Sequence, residues 1–241
     1  MVKPKVIVHW LEASRSHRVL WLLEELNVPY EVKIYPRFQK YRAPKELEAL
    51  HPLGKSPLIE VIHEDGKRET IAESGHIFSY LLTHFDTDNK LKGNDEAVDY
   101  FLHFTEGSFQ GLQVGLLVND VAVVESPFLA RFLVKMVLGI INSQFYIPES
   151  YKIYDYLEDL MKQQHSKGSR VIVGDTLTAA DIMLSFPINN IFIRTDFMTR
   201  IFGNVDFKAK YPNLYKWNQF MQSNPNLIKA NESITSTGAK L

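Results

Sequence analysis

The heptapeptide HPLGKSP, residues 51–57, places two prolines around a glycine just before an apolar run. We predict that this run is a strand over residues 56–62, and Pro57 has no N–H group to donate to its ladder. A cis peptide bond before Pro57 would give a sharp turn that exposes the backbone of Ser56. That backbone would then pair with a peptide ligand as an added strand does. An ordinary proline-glycine loop explains the same residues, and the heptapeptide alone favours it.

Upstream of this stretch, the sequence predicts a strand, a helix and a second strand in close succession. Residues 5–10 are rich in β-branched side chains, residues 14–26 carry apolar side chains at helical spacing, and residues 31–35 alternate polar and apolar. Elements this close together predict a βαβ unit with a parallel pair of strands. A short, weaker helix is predicted over residues 43–50.

Downstream, the sequence predicts a hairpin followed by a helix. The segment HEDGK contains an Asp-Gly turn signal and leads into a short fourth strand at residues 68–71. Residues 73–84 read as a helix, so the order is βαβαββα, an α/β first domain over residues 1–86. The polar segment 85–95 marks the domain boundary.

The rest of the chain predicts an all-helical second domain over residues 95–241. The apolar-periodic stretches are 96–124, 127–145, 150–164, 178–193 and 212–222. The tail, residues 231–241, is polar and small, and we expect it to fray.

The composition limits the possible chemistry. The chain has 241 residues, a formal net charge of -1 and no cysteine. The charge gives no reason to expect nucleic acid or an anionic membrane surface as the main partner. Thiol chemistry must use a thiol that a ligand brings, and the histidines lack zinc-site spacing, so no metal is expected.

The location expected from the sequence is cytoplasmic, because the N-terminus lacks a signal-peptide pattern and no uncharged apolar stretch of about 18 residues occurs. The most apolar region, residues 128–145, is interrupted by Arg131 and Lys135. It is typical of a buried or amphipathic helix, and loose attachment to a membrane surface remains open.

Two clusters lie at predicted helix starts. A serine such as Ser74 in a first turn offers a hydroxyl and free N–H groups to a carboxylate, and Glu73 beside it could hold an ammonium group. Together they fit the α-amino acid end of a small peptide, although the pair taken alone favours plain capping, which needs no ligand. The segment Ser14 to Arg18 likewise places hydroxyls and cations at a helix N-terminus, where an anion would be stabilised. The alternative is that the hydroxyls only cap the helix and the cations are simply solvated.

A third cluster, Thr178 to Asp181, has the pattern of a capping box, with an acid three residues after a threonine. We interpret it as structural, since it fixes the start of a buried helix.

These clusters, in this order, resemble the cytosolic glutathione transferases over nearly the whole chain. Residues 9–26 and 101–110 are most similar to the fungal transferases of budding yeasts. The resemblance implies a thioredoxin-like N-terminal domain, an all-α C-terminal domain, glutathione as cosubstrate and a homodimer.

The resemblance also implies roles for single residues. The backbone at Ser56 would meet the cysteinyl part of glutathione, and Glu73 and Ser74 would hold its γ-glutamyl end. Lys55 is placed to bind the glycine carboxylate, with Arg42 as a second candidate.

Two serines compete for the catalytic position, and we choose Ser14. It lies three residues past the first strand, where the N-cap belongs, whereas Ser16 would lie about two residues into the helix. A hydroxyl there would favour the glutathione thiolate, which attacks a small hydrophobic electrophile. That electrophile is expected between the first helix and the first long helix of the second domain, near the aromatic side chains of Tyr100, Phe101, Phe104 and Phe109. Most of these side chains are expected to belong to the core, so they are not counted as site residues. Peroxide reduction by the same thiolate, and a non-catalytic regulatory or assembly module, are the alternatives.

Overall fold

A four-stranded sheet forms the first part of the protein. The computed structural model describes residues 4–37, 41–237 and 239. The strands are β1 (Lys5–Leu11), β2 (Tyr30–Tyr35), β3 (Leu58–Ile62) and β4 (Arg68–Ala72), in the order β2-β1-β3-β4. The pair β1 and β2 is parallel, with Val6 opposite Tyr30, and the other two pairs are antiparallel.

Two helices complete this part, α1 (His17–Glu25) and α2 (Ser74–Phe85). The central strand β1 is buried from Val6 to its end, as a strand with neighbours on both sides requires. The predicted parallel pair and the hairpin at Asp65-Gly66 are both confirmed. The thioredoxin-like arrangement is therefore present.

Two details of the first part differ from the prediction. The helix expected over residues 43–50 is only a single 3₁₀ turn, Lys45–Leu47, because Pro44 before it is extended. The third strand begins at Leu58 rather than residue 56, since Ser56 and Pro57 form the turn before it.

The rest of the described chain is helical. Its α-helices are α3 (Asp95–Phe104), α4 (Gln110–Glu125), α5 (Phe128–Ile141), α6 (Ile147–Ser166), α7 (Ala179–Ile193), α8 (Thr195–Phe202), α9 (Phe207–Lys210), α10 (Pro212–Gln222) and α11 (Pro225–Thr235). The prediction of a frayed tail from residue 231 is wrong for residues 231–235, which belong to α11. This helix is held in place because Leu227, Ala230 and Ile234 are buried along one of its faces. Residues 238, 240 and 241 lie outside the described residues.

Two π-helical turns keep pairs of helices continuous. Thr105–Phe109 joins α3 to α4, and Asn142–Tyr146 joins α5 to α6. The sequence pattern predicted a break only at the second of these junctions. The second turn packs so closely on α4 that a β-carbon at Gly115 would collide with the Tyr146 ring. Glycine at that position therefore permits the approach.

Helix α5 is exposed, although its sequence is the most apolar in the chain. None of its residues is buried, and Phe128, Leu129 and Phe132 are 84%, 90% and 74% exposed. The alternative of a buried helix is wrong for these residues, because α5 packs mainly on α4 and meets little else. By length and composition alone, the continuous segment Phe128–Ser166 could cross a membrane.

The predicted capping box is confirmed at the start of α7. Thr178 and Asp181 exchange both side-chain to backbone contacts. Asp181 also accepts hydrogen bonds from the N–H of Ile172 at 2.8 Å and from Nε1 of Trp217 at 3.0 Å. The acid thus ties the start of α7 to the preceding loop and to α10.

Candidate functional site

A small cleft lies where the turn before β3 meets the start of α2. The peptide bond between Ser56 and Pro57 is cis, which is the alternative that the heptapeptide alone did not favour. The cleft is lined by Lys55, Ser56, Glu73 and Ser74, together with Arg15 from the segment before α1. The two clusters that the sequence singled out separately therefore share one site.

Glu73 holds an unusual backbone conformation at this cleft. Its φ of 71° and ψ of 124° lie outside the regions that a residue with a side chain normally adopts. Such strain costs about 1–3 kcal/mol and tends to be kept where function depends on it. The Glu73 side chain is exposed and makes no capping hydrogen bond, so it is available to a ligand, whereas Ser74 is buried.

The Ser74 hydroxyl is held by an arginine that the sequence analysis did not single out for this role. Nη2 of Arg18 lies 3.3 Å from Oγ of Ser74 and 2.6 Å from Oε1 of Glu106. Nη1 of Arg18 donates to the carbonyl of Met183 in α7 at 2.8 Å. One buried guanidinium thus connects α1, the start of α2, a π-helical turn and α7.

Glu106 receives a second cation. Arg15 also pairs with it, through the other carboxylate oxygen. Burial alone would raise the pKa of Glu106, but the charges of Arg18 and Arg15 and the hydrogen bonds from them lower it overall. The carboxylate is therefore ionised and fixes both arginines beside the cleft. No local pattern points to this role, because the pairs span 88 and 91 residues.

The two serines before α1 have different surroundings. The helix begins at His17 with Ser16 as its capping residue, so the prediction of Ser14 as the N-cap is wrong by two positions. The reason is a pair of turns over residues 12–16, in which Ala13 has a φ of 48°. Apolar periodicity does not reveal such turns, since they consist mainly of polar residues.

Ser16 is fully buried, and its hydroxyl binds the backbone. Its Oγ lies 3.3 Å from the Leu11 nitrogen and 3.4 Å from the Leu11 oxygen. The oxygens of Ser14 and Ser16 are 2.6 Å apart, and Ser14 Oγ also accepts from the Ser16 N–H at 3.2 Å. Ser14 itself lines the neighbouring cavity, whereas Ser16 does not. The Ser16 hydroxyl is therefore engaged by the Leu11 backbone and by Ser14.

A cavity of about 380 Å³ extends the cleft toward the helices. The cleft and the cavity share Arg15, Lys55 and Ser56, and Arg42 and Ser14 also line the cavity. A space of this size accepts a small organic molecule. All six residues proposed for the site therefore lie along one continuous surface, with Glu73 and Ser74 at its far end.

The four aromatic side chains near which the electrophile was expected lie outside the cavity wall, and the core position expected for most of them is confirmed for Phe101 and Phe109. Tyr100, Phe101, Phe104 and Phe109 do not line the cavity, because Phe101 and Phe109 are buried among the helices and Tyr100 faces solvent. The wall comes instead from α4, α7 and α8, through Val114, Leu117, Phe186, Phe197, Met198 and Phe202. The first long helical stretch does line the cavity as expected, but it does so through Val114 and Leu117 of α4 rather than near residues 100–109.

Two cations at the cavity were missed by sequence reasoning, Arg37 and Arg194. Arg37 donates to the carbonyls of Ala13 and Tyr41, both at 2.9 Å. Arg194 follows the last residue of α7 directly. Within residues 4–37, 41–237 and 239, no three His, Cys, Asp or Glu side chains come together as a metal site would need.

Family models and a relative of similar length match this chain. The family model described as the glutathione S-transferase N-terminal domain matches residues 12–84, and the model of the C-terminal domain matches residues 147–225. The chain is 35% identical to glutathione S-transferase 1 of Saccharomyces cerevisiae, over 99% of each protein.

Solved structures of similar fold span almost the whole chain. A glutathione S-transferase from Actinobacillus pleuropneumoniae has a TM-score of 0.65 and 29% identity, and covers 98% of this chain and 94% of its own. A glutathione transferase homologue from Lodderomyces elongisporus, with two GSH per subunit, has a TM-score of 0.71 and 20% identity. The match covers 96% of this chain and 99% of that one.

Proposed function

The chain belongs to the glutathione S-transferase family, and we propose that it conjugates the glutathione thiolate to small hydrophobic electrophiles, as in detoxification. Glutathione is the cosubstrate of this family. The observation that supports catalysis most directly is the position of Ser14. This residue lines the cavity that Lys55 and Ser56 also line, between the glutathione cleft and the apolar wall.

In this proposal the cleft holds the tripeptide. Glu73 and Ser74 bind its γ-glutamyl end, the Ser56 backbone meets its cysteinyl part, and Lys55 and Arg42 face its glycine carboxylate. This arrangement agrees with the lining of the cleft and the cavity. It directs the sulfur toward Ser14.

The Ser14 hydroxyl then lowers the pKa of the bound thiol by donating to its sulfur. A free thiol has a pKa of about 8.5, so most of it is protonated at neutral pH. Each unit of decrease requires about 1.4 kcal/mol, which one charge-assisted hydrogen bond can supply. Ser16 has no such role in the proposal, because it does not line the cavity and its hydroxyl is engaged by the Leu11 backbone and by Ser14.

Retention on immobilised glutathione, followed by two assays, tests the proposal. Retention together with conjugation of a generic aryl halide supports a transferase. Reduction of an organic hydroperoxide without conjugation would instead favour the peroxidase alternative. Retention with neither activity would favour a non-catalytic module, and absence of retention would contradict the site itself.

We also propose that the protein is a homodimer in the cytoplasm, as the family resemblance implies, and that α5 attaches it loosely to membrane surfaces. The exposed apolar side chains of α5 support this attachment, as do its only charged residues, Arg131 and Lys135, both basic. Surface attachment fits better than a spanning helix, since α6 buries Tyr154, Leu157 and Met161 inside the protein.

A further inference from the structure

Arg194 occupies the junction of two cavities beside Ser14. It is half-buried between α7 and α8 and lines both the 380 Å³ cavity and a second cavity of about 260 Å³. The two cavities also share Ala13, Ser14, Phe186 and Asn190. Whatever approaches the Ser14 hydroxyl from the helical side therefore passes close to this guanidinium.

The guanidinium of Arg194 has no partner in the described part of the chain. The backbone of this residue is bonded to Asn190 and Met198, but its side chain makes no hydrogen bond or ion pair with any described residue. Burial lowers the pKa of the guanidinium without any compensating acid. Arginine is rarely buried unless it is paired, because desolvating the charge is costly. Arg18 and Arg15, by contrast, both pair with Glu106. The unpaired state of Arg194 therefore sets it apart from its neighbours.

The surrounding electrostatics favour an anion. None of the described residues that line the larger cavity is an aspartate or a glutamate. The pKa of Arg37 is lowered by burial and, secondly, by the charge of Arg194, while Glu12 offsets this only in part. Two cations thus repel one another in a cavity without a carboxylate, and a bound anion would relieve that repulsion.

The apolar wall limits the rest of the ligand. Arg194 is flanked by Phe197 and Met198 of α8, and Val114 and Leu117 of α4 line the same cavity. An inorganic anion would leave this wall without contacts, whereas an aromatic or aliphatic acid would use both the wall and the guanidinium.

We infer that the preferred acceptor substrate has an apolar body with an anionic group, and that Arg194 binds that group. The inference rests on the proposed function, since it names the substrate class of the same site. Arg194 is then a specificity-determining residue. It favours acidic electrophiles over neutral ones of the same shape.

A matched pair of aryl chlorides tests the inference, 4-chloro-3,5-dinitrobenzoate and its methyl ester. In both, the glutathione sulfur bonds to the ring carbon that carries chlorine. Chloride leaves with the electrons of the broken bond, and the thiol proton passes to the buffer. Each kcat/KM is divided by the uncatalysed rate constant with glutathione, because the ester is intrinsically more reactive.

The wild-type protein should favour the carboxylate about tenfold or more in this normalised ratio. Arg194→Gln should lower kcat/KM for the carboxylate by about tenfold and change the ester less than twofold. Arg194→Lys should keep part of the preference. Added salt should reduce the preference in the wild-type protein, since it screens a partly exposed charge. Arg170→Gln is the matched control, because that exposed arginine stacks on Phe220 away from both cavities.

The other results separate the inference from the proposed function. Equal use of acid and ester by the wild-type protein overturns the inference alone. An Arg194→Gln variant whose kcat/KM falls equally for the acid and the ester also overturns the inference alone. The same holds if the variant raises only KM for glutathione, since Arg194 would then bind the tripeptide. A wild-type protein that converts neither compound overturns the proposed function, and the inference falls with it. If Arg194→Gln fails to fold, the wild-type ratio and its salt dependence decide.

Discussion

The guanidinium of Arg18 and the carboxylate of Glu106 are joined at 2.6 Å, between the first helix of the sheet region and a π-helical turn of the helical region. Arg18 is 1% exposed and Glu106 20% exposed, so the pair is largely removed from water. Because the same Nη2 atom contacts Ser74, the pair also positions one wall of the glutathione cleft.

Acid should weaken this link. Because the pKa of Glu106 is lowered in the folded protein, its ionised form contributes stability above the ordinary glutamate value near 4.5. That contribution is lost as the pH falls below this value and through the folded pKa. Glu106→Gln should cost about 3 kcal/mol at pH 7, since it leaves Arg18 without its charge partner. Its urea midpoint should then change less than that of the wild-type protein between pH 5 and pH 3.

Glu149→Gln is the control for this experiment, because within the described part of the chain Glu149 pairs only with Lys152, at an exposed position. It should leave both the midpoint and its pH dependence almost unchanged. A Glu106→Gln variant as stable as the wild-type protein at pH 7 would contradict the role given to the pair.

Ser14→Ala should slow conjugation about ten- to a hundredfold, because the thiolate loses one donor worth about 1.5–3 kcal/mol. The pKa of bound glutathione, measured from thiolate absorbance against pH, should rise. Ser16→Ala should not raise this pKa. It should instead lower the melting temperature, since its hydroxyl binds the Leu11 backbone in the interior. If Ser16→Ala raises the pKa and Ser14→Ala does not, the assignment of the catalytic serine is wrong.

Glu73→Ala and Ser74→Ala should each weaken glutathione binding by about 1.5–3 kcal/mol. Both contact the non-reacting end of the tripeptide in the proposal, so KM for glutathione should rise more than kcat falls. Glu69→Ala is the control, since Glu69 is exposed on β4 and, among the described residues, forms an ion pair only with His63 at 3.3 Å. Normal affinity in both folded variants would exclude this end of the cleft as the γ-glutamyl site.

Asp181→Ala should unfold more easily without a change in KM. The structure increases the expected loss beyond that of a capping box, to about 2–4 kcal/mol, because Ile172 and Trp217 also lose a buried acceptor. Asp206→Ala is a matched control, since Asp206 caps the start of α9 from an exposed position. It should cost about 1 kcal/mol. Equal losses in the two variants would show that the extra contacts of Asp181 contribute nothing.

Vesicle sedimentation measures the proposed membrane attachment of α5. The wild-type protein should bind anionic vesicles more strongly than zwitterionic ones, because Arg131 and Lys135 add electrostatic attraction to apolar burial. Phe132→Glu should reduce binding severalfold through lost apolar area and added negative charge. Ile228→Glu, at an exposed position on α11, should not reduce it. A wild-type protein that stays in the supernatant with both vesicles would rule the attachment out.

Local chemistry made several elements predictable. The Asp65-Gly66 turn, the Thr178–Asp181 box and the turn before Pro57 depend on neighbouring residues, so short patterns reveal them. The residues that the ordered clusters predicted for the site also lie along one continuous surface in the structure. The domain bounds of 1–86 and 95–241, like the role of each site residue, stay predictions.

Long-range packing accounts for what the patterns missed. Nothing near Glu106 indicates that it binds two arginines about 90 residues away. Likewise, the sequence shows Arg194 only as a cation at a helix end, and its position beside Ser14 is evident only from the structure. The start of α1 was misplaced for a local reason, since the turns over residues 12–16 carry no apolar periodicity. The last helix had a usable signal in Leu227 and Ile234, which the polar composition of the tail concealed.

The contact between Gly115 and Tyr146 restricts how this region can diverge. Any β-carbon at position 115 would require the tyrosine ring to move, so a larger residue there favours a smaller one at position 146. Neither exchange is neutral by itself, because an enlarged residue 115 collides and a shortened residue 146 leaves a void. In related sequences, these two positions should therefore change as a pair, and a tyrosine at the second should accompany glycine at the first.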